Sequence, residues 1–158
     1  MNIMNKQITL VFSSYQSHDL LKKAIIKLPK KYKIIIIENS QDKNLKKYLE
    51  KKFKNVQVII PKNNLGLARS YNLGLKKAKT KYVFLNNPDN SFQEETIIKL
   101  YKCANHIKKF AIISPTYKNE NTYKNYEIYK PQKKNKRPQI LNKYDVVEAD
   151  IIDNCFFV

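Results

Sequence analysis

Glycine is almost missing from this chain: among 158 residues only Gly66 and Gly74 occur. A phosphate-binding P-loop needs a glycine-rich turn ending in Lys and Ser or Thr, and a dinucleotide fold needs closely spaced glycines after its first strand. The turn after the first apolar run reads "SSYQSHD" and has none. P-loop ATPases and kinases, nicotinamide-dependent dehydrogenases and sugar-phosphate nucleotidyltransferases are excluded on that ground. Cysteine is as scarce, and Cys103 and Cys155 stand far apart with no second Cys or His at metal-ligand spacing. Both read as buried thiols in a reducing compartment. His18 and His106 read as isolated, and His106 falls near the end of a predicted helix, where such a side chain is ordinary. No long hydrophobic run exists: the longest aliphatic run, "IIII" at 34–37, is far too short to cross a bilayer, and the N-terminus lacks a signal-peptide pattern. The chain reads as cytoplasmic.

Negative charge is also in short supply, since 13 acidic residues face 31 basic ones for a formal net charge of +18. Every basic residue except Arg69 and Arg137 is lysine. An AT-rich genome, whose codons favour Lys, Asn and Ile, accounts for much of that skew. The positive field still draws phosphate-bearing partners such as nucleotides, and it favours peripheral attachment to an anionic membrane face. Specific nucleic-acid recognition is not expected, because neither arginine clusters nor a known module is visible. With 42% hydrophobic and 28% charged residues, the chain reads as one globular domain with a heavily solvated surface.

The apolar pattern alternates between two periods. "ITLVFSS" (8–14) is a strand, and "HDLLKKAIIKL" (18–28) then puts Leu20, Leu21, Ala24, Ile25 and Leu28 on one helical face. "YKIIIIEN" (32–39) is apolar on both faces, as a central parallel strand is, and Leu45, Tyr48, Leu49 and Phe53 form the next helical stripe. "VQVII" (56–60) stops at Pro61, Ala68, Tyr71, Leu75 and Ala78 mark a third helix, and "YVFLN" (82–86) a fourth strand. Ile97, Leu100, Tyr101, Ala104 and Ile107 mark a fourth helix, and "FAIIS" (110–114) a fifth strand. This alternation predicts an α/β fold, a doubly wound and mostly parallel sheet with helices on both faces. Residues 116–145 read as a basic loop, and 146–158 as the start of a further region. The sequence stops on an apolar residue, so a truncated chain or fragment is expected.

Ligands of open α/β sheets bind at the carboxyl ends of the strands. There the sequence sets Ser13, Ser14 and Tyr15; Glu38, Asn39 and Ser40; Lys62, Asn63 and Asn64; and Asn86, Asn87, Pro88 and Asp89. All are polar, and they are expected to converge on one pocket. Gly66 permits a positive φ before the third helix, whose first N–H groups around Leu67 and Ala68 can receive a diphosphate with Arg69 beside them. Asn72 and Gly74 are expected to pack that helix against the sheet.

The segment "NNLGLARSYNLGLKKAKTKYVFLNNPDN" resembles the donor-binding signature of family 2 glycosyltransferases. In that signature Asn-x-Gly leads into a helix containing a second Asn-x-Gly, and a strand ending in Asn-Pro-Asp or Asp-x-Asp follows. "ITLVFSSYQ" and "IIIIENSQD" resemble the family's first two strands, so the likeness covers about residues 7 to 115, with "ADIIDNCFFV" a weaker match to the strand before the acceptor site. The resemblance implies a GT-A fold with a donor-binding region over 1–115, and inverting transfer of a sugar from a nucleotide-diphospho-sugar to a glycan or lipid-linked acceptor in bacterial surface polysaccharide synthesis. A UDP- or dTDP-sugar is favoured. It further implies that Glu38 reads the base or ribose, that Ser13 and Tyr15 hold the base, and that Asn64, Gly66, Arg69 and Asn87 contribute to donor binding. Asp89 takes the place of the last acid of Asp-x-Asp, the ligand of Mg²⁺ or Mn²⁺, and is expected to face the helix after Gly66. No catalytic base is assigned: Asp150 and Asp153 are late carboxylates without a matched role. Two alternatives are an inactive domain that retains nucleotide binding and a basic anion- or RNA-binding α/β module.

Overall fold

The computed structural model describes residues 3–107, 110–115 and 156–158. Within them lie β1 (Ile8–Ser14), α1 (His18–Lys27), β2 (Lys33–Glu38), α2 (Lys43–Lys52) and β3 (Val56–Ile59), then α3 (Gly66–Lys77), β4 (Tyr82–Asn86), α4 (Glu94–Ile107) and β5 (Phe156–Phe157). The strands form one sheet in the order β3-β2-β1-β4-β5, parallel except for the β4–β5 pair. The strand order therefore reverses between β1 and β4, the crevice where open α/β sheets take ligands.

Handedness fixes where the helices go. The chain steps outward from β1 through β2 to β3, then jumps back across both to place β4 on the other side of β1. A right-handed crossover requires helices of opposite direction to lie on opposite faces. Accordingly α1 and α2 pack on one face, joined by α4, while α3 packs on the other. Period 2 sorts the strand residues to match: Leu10, Phe12, Ile34, Ile36 and Phe84 join the three-helix core, whereas Val11, Ile35, Ile37, Val83 and Leu85 meet α3. The central strands are buried on both faces, which explains their unbroken aliphatic runs.

Several expectations from periodicity need correction. "FAIIS" is no strand, because Ile113 makes only an isolated bridge to Phe157 and the edge of β4 is taken by β5. Leu20 and Tyr48 lie at the shoulders of their helical stripes and are exposed. The buried face of α3 is Ser70, Tyr71 and Gly74, while Ala68 is exposed. Gly74 does pack against the sheet, a Cβ there falling 2.3 Å from Val11 Cγ1. Asn72, two residues away and so about 200° around the helix, is exposed instead. Cys103 is buried as expected, and burial raises its thiol pKa. Cys155, the basic stretch 116–145 and Asp150 and Asp153 lie outside the described residues.

Candidate functional site

At the carboxyl edge the alternation of side chains splits the predicted residues into two groups. Ser13, Asn39 and Asn87 turn toward α3, and Glu38 turns toward α1 and α2. The α3 side is the more ordered. Buried Asn39 donates from Nδ2 to Ser70 Oγ at 3.0 Å, to the Ser14 carbonyl at 3.3 Å and to Ser13 Oγ at 3.4 Å. Its Oδ1 accepts from the Leu65 amide at 3.1 Å and lies 3.2 Å from Ser70 Oγ. One side chain thus ties the end of β1 to the head of α3.

The α3 head is held by side-chain hydrogen bonds to its first amides. Asn64 Oδ1 accepts from the Gly66 amide at 2.8 Å, closing a small turn that sets the helix start. Gly66 has φ of +68°, and among the described residues nothing lies within 4 Å of where its Cβ would be. A side chain is excluded here by backbone conformation and not by crowding. Leu65 at the N-cap supplies no side-chain hydrogen bond, and Leu67, Ala68 and Arg69 are exposed, so the first-turn amides open to solvent. Asn87 connects this side to β4: its Oδ1 accepts from Tyr71 Oη at 2.7 Å. Asn86 is fully buried, and its Oδ1 has no hydrogen-bond partner among the described residues.

On the opposite side Glu38 is fully buried, and its two oxygens accept from the Ser40 amide at 3.0 Å and the Asp42 amide at 2.9 Å. The carboxylate thereby shapes the turn that leads into α2. His18, which the sequence presents as isolated, stands between two carboxylates, with Nδ1 3.4 Å from Asp42 Oδ2 and Nε2 3.8 Å from Glu38 Oε1. Segments that follow adjacent parallel strands lie side by side, and that rule could have paired His18 with the acids after β2. Asp42 caps α2: the Leu45 amide donating to its Oδ1 holds the carboxyl below the usual range, and the Asn44 amide and the charges of His18 and Lys22 act in the same direction.

Asp89 is exposed and lines a groove with Leu20, Lys23 and Lys27 of α1 and with Phe92. The residue that reaches α3 is Asn87, not Asp89 as expected. Tyr15 is 54% exposed just beyond β1. Among the described residues no group of three His, Cys, Asp or Glu side chains could hold a metal ion unaided. Asn39 is one of the strand-end residues the sequence sets at this edge, whereas its partner Ser70 escaped selection because a lone Ser in a helix carries no periodic signal.

The sequence model of the family described as glycosyl transferase family 2 matches residues 11–157. Among curated proteins none matches. Of solved structures, the mannosyltransferase PcManGT from Pyrobaculum calidifontis, in complex with GDP-Man and Mn²⁺, is similar at 11% identity and a TM-score of 0.52, over 60% of this chain and 31% of that one. S. aureus TarS 1-349 in complex with UDP is similar at 19% identity and a TM-score of 0.54, over 63% of this chain and 32% of that one. At such identities the likeness establishes the GT-A fold. The chain spans about a third of the length of these structures.

Proposed function

The chain belongs to glycosyl transferase family 2, and from that premise we propose that its carboxyl edge binds the nucleoside diphosphate of a sugar donor and passes the sugar to a hydroxyl of a glycan or lipid-linked acceptor. Gly66 carries the reading: a positive φ, with open space beside it, at the exposed head of α3. A diphosphate arriving there meets the first-turn amides and the Arg69 guanidinium. Asn39 and Asn64 hold those amides in place through Leu65 and Gly66. Ser13 and Tyr15 flank the base, and Glu38 accepts from a uracil or thymine N3–H or from ribose; the preference for UDP or dTDP rests on the family resemblance. Glu38 is fully buried with each oxygen accepting one amide, so its part in donor binding includes holding the Ser40–Asp42 turn beside the base.

Transfer is proposed as inverting. The acceptor oxygen bonds to the anomeric carbon as the bond from that carbon to the diphosphate oxygen breaks, and the hydroxyl proton goes to a carboxylate base. No described residue is assigned as that base. Mg²⁺ or Mn²⁺ fits the residues present in company with substrate: Asp89 is an exposed carboxylate in no ion pair among the described residues, and one carboxylate with diphosphate oxygens and waters suits these ions. When bound, the ion would offset the charge gathering on the departing diphosphate. Asn87, held by Tyr71, would keep the β4 end in register with α3. A role in bacterial surface polysaccharide synthesis, on the cytoplasmic side of the membrane, belongs to the same proposal.

A thermal-shift screen of UDP, dTDP, GDP and ADP, each with Mn²⁺ or EDTA, tests the site. Ligand at 100 times its dissociation constant stabilises by about 2.7 kcal/mol. Base-selective, metal-dependent stabilisation is the expected result. Small equal shifts with every nucleotide would mean that lysines alone collect phosphate, and would sink the proposal.

A further inference from the structure

We infer that the outer surface of α1 and α2 is a membrane-docking face whose partner is an anionic phospholipid bilayer. Among the described residues six large hydrophobic side chains are exposed, and three of them, Leu20 at 47%, Ile26 at 57% and Tyr48 at 41%, lie on these two helices. The helices form one continuous surface, since Lys22 Nζ of α1 stands 5.5 Å over the Tyr48 ring of α2. Their acids are already engaged: Asp19 pairs with Lys22 and Glu50 with Lys46. Lys23, Lys27, Lys47 and Lys51 are exposed on the same two helices and enter no ion pair among the described residues.

Apolar side chains set among lysines on a helical surface are the pattern of interfacial binding: the apolar groups enter the headgroup boundary and the lysines meet lipid phosphates. No helix among the described residues is long and apolar enough to cross a membrane, so contact through these two helices would be made from one side. Uniform basic charge alone does not account for a face: α1 and α2 carry three of the six exposed large hydrophobic side chains beside their lysines, whereas α3, on the opposite side of the sheet, carries only Leu67, at the far end from Lys76 and Lys77. The groove lined by Leu20, Lys23, Lys27, Phe92 and Asp89 borders this surface. An acceptor held at the bilayer would thus have a path toward Asp89. That consequence rests on the transferase reading, and the face itself does not.

The test is co-sedimentation of the full chain with extruded vesicles of phosphatidylglycerol and phosphatidylcholine, against vesicles of phosphatidylcholine alone. Each lysine near an anionic surface strengthens binding roughly fivefold. Lys23→Gln with Lys27→Gln should therefore weaken binding to the anionic vesicles about twenty-five-fold. The charge-matched pair Lys76→Gln with Lys77→Gln should change it by less than about threefold. Ile26→Asn should also weaken it, with all lysines retained. Equal losses from the two lysine pairs, or no binding of the unaltered chain to anionic vesicles, would overturn the face. UDP stabilisation measured on the same variants separates the two ideas: a chain that docks but ignores UDP defeats the transferase reading alone.

Discussion

Replacing Gly74 by Ala should destabilise the protein, although at a solvated helix position the same change helps. Alanine exceeds glycine in helix propensity by about 1 kcal/mol, so without a neighbour the variant would gain that much. Here the new Cβ falls 2.3 Å from Val11 Cγ1, 3.2 Å from Cγ2 and 3.3 Å from Val11 Cβ. Carbon atoms pack at about 3.5–4.0 Å, so α3 must lift by roughly an ångström or Val11 must turn. Val11 cannot turn freely, being β-branched and fully buried in the strand at the centre of the sheet. Overpacking of this kind costs about 1–3 kcal/mol, and the upper half of that range applies because both sides are backbone-anchored. A net loss of about 1–2 kcal/mol remains after the propensity gain. Urea unfolding at 25 °C measures it. Val11→Ala alone should cost about 1.5–3 kcal/mol through lost burial, and the double variant should lose less than the sum of the singles by about 1–3 kcal/mol. A Gly74→Ala protein more stable than its parent, or strictly additive losses, would refute close packing of α3 on β1.

Other predictions concern the site and the turns around it. Gly66→Ala should lose about 1 kcal/mol of stability, since φ of +68° strains a non-glycine residue, and Gly66→Asn should lose less; both are read by urea unfolding. Asn39→Ala strands the part-buried Leu65 amide and removes the side-chain bonds to Ser13 and Ser70, while the Ser14 carbonyl keeps the backbone amide of residue 39; it should cost about 1–3 kcal/mol, with weaker UDP binding by calorimetry. Asp89→Ala should abolish the Mn²⁺ dependence of UDP binding while changing the unfolding midpoint little, because the side chain is exposed. Asp42 has a lowered folded-state pKa, so its contribution is present above the unfolded value near pH 3.9 and is lost as pH falls through the folded one. Asp42→Asn, an equally good N-cap without a charge to titrate, should flatten the fall of melting temperature as pH drops below about 4. An unchanged acid slope in that variant would remove Asp42 as a source of it.

Much of the fold is legible in the sequence because burial writes periods into it. Runs such as "IIIIE" at 34–38 announce a strand covered on both faces, and Leu21, Ile25, Leu45 and Leu49 announce helices with one buried side. "FAIIS" misleads because an apolar run does not say which edge is already occupied. At the site, the residue types after each strand are legible, and their grouping is not. Glu38 and Asn39 are neighbours in sequence and turn to opposite faces of the sheet, one shaping the turn into α2 and the other fastening α3.

By itself the sequence determined the element order as far as α4, the family and the positive φ at Gly66, since periodicity, chain order and the steric demand of positive φ are local properties. Only the tertiary structure decided which helices share a face, that Asn39 links β1 to α3, that His18 stands between Glu38 and Asp42, and that Asp89 borders α1 while Asn87 meets α3. These are outcomes of crossover handedness and strand register, which bring together residues far apart in the chain and leave no mark on the local pattern.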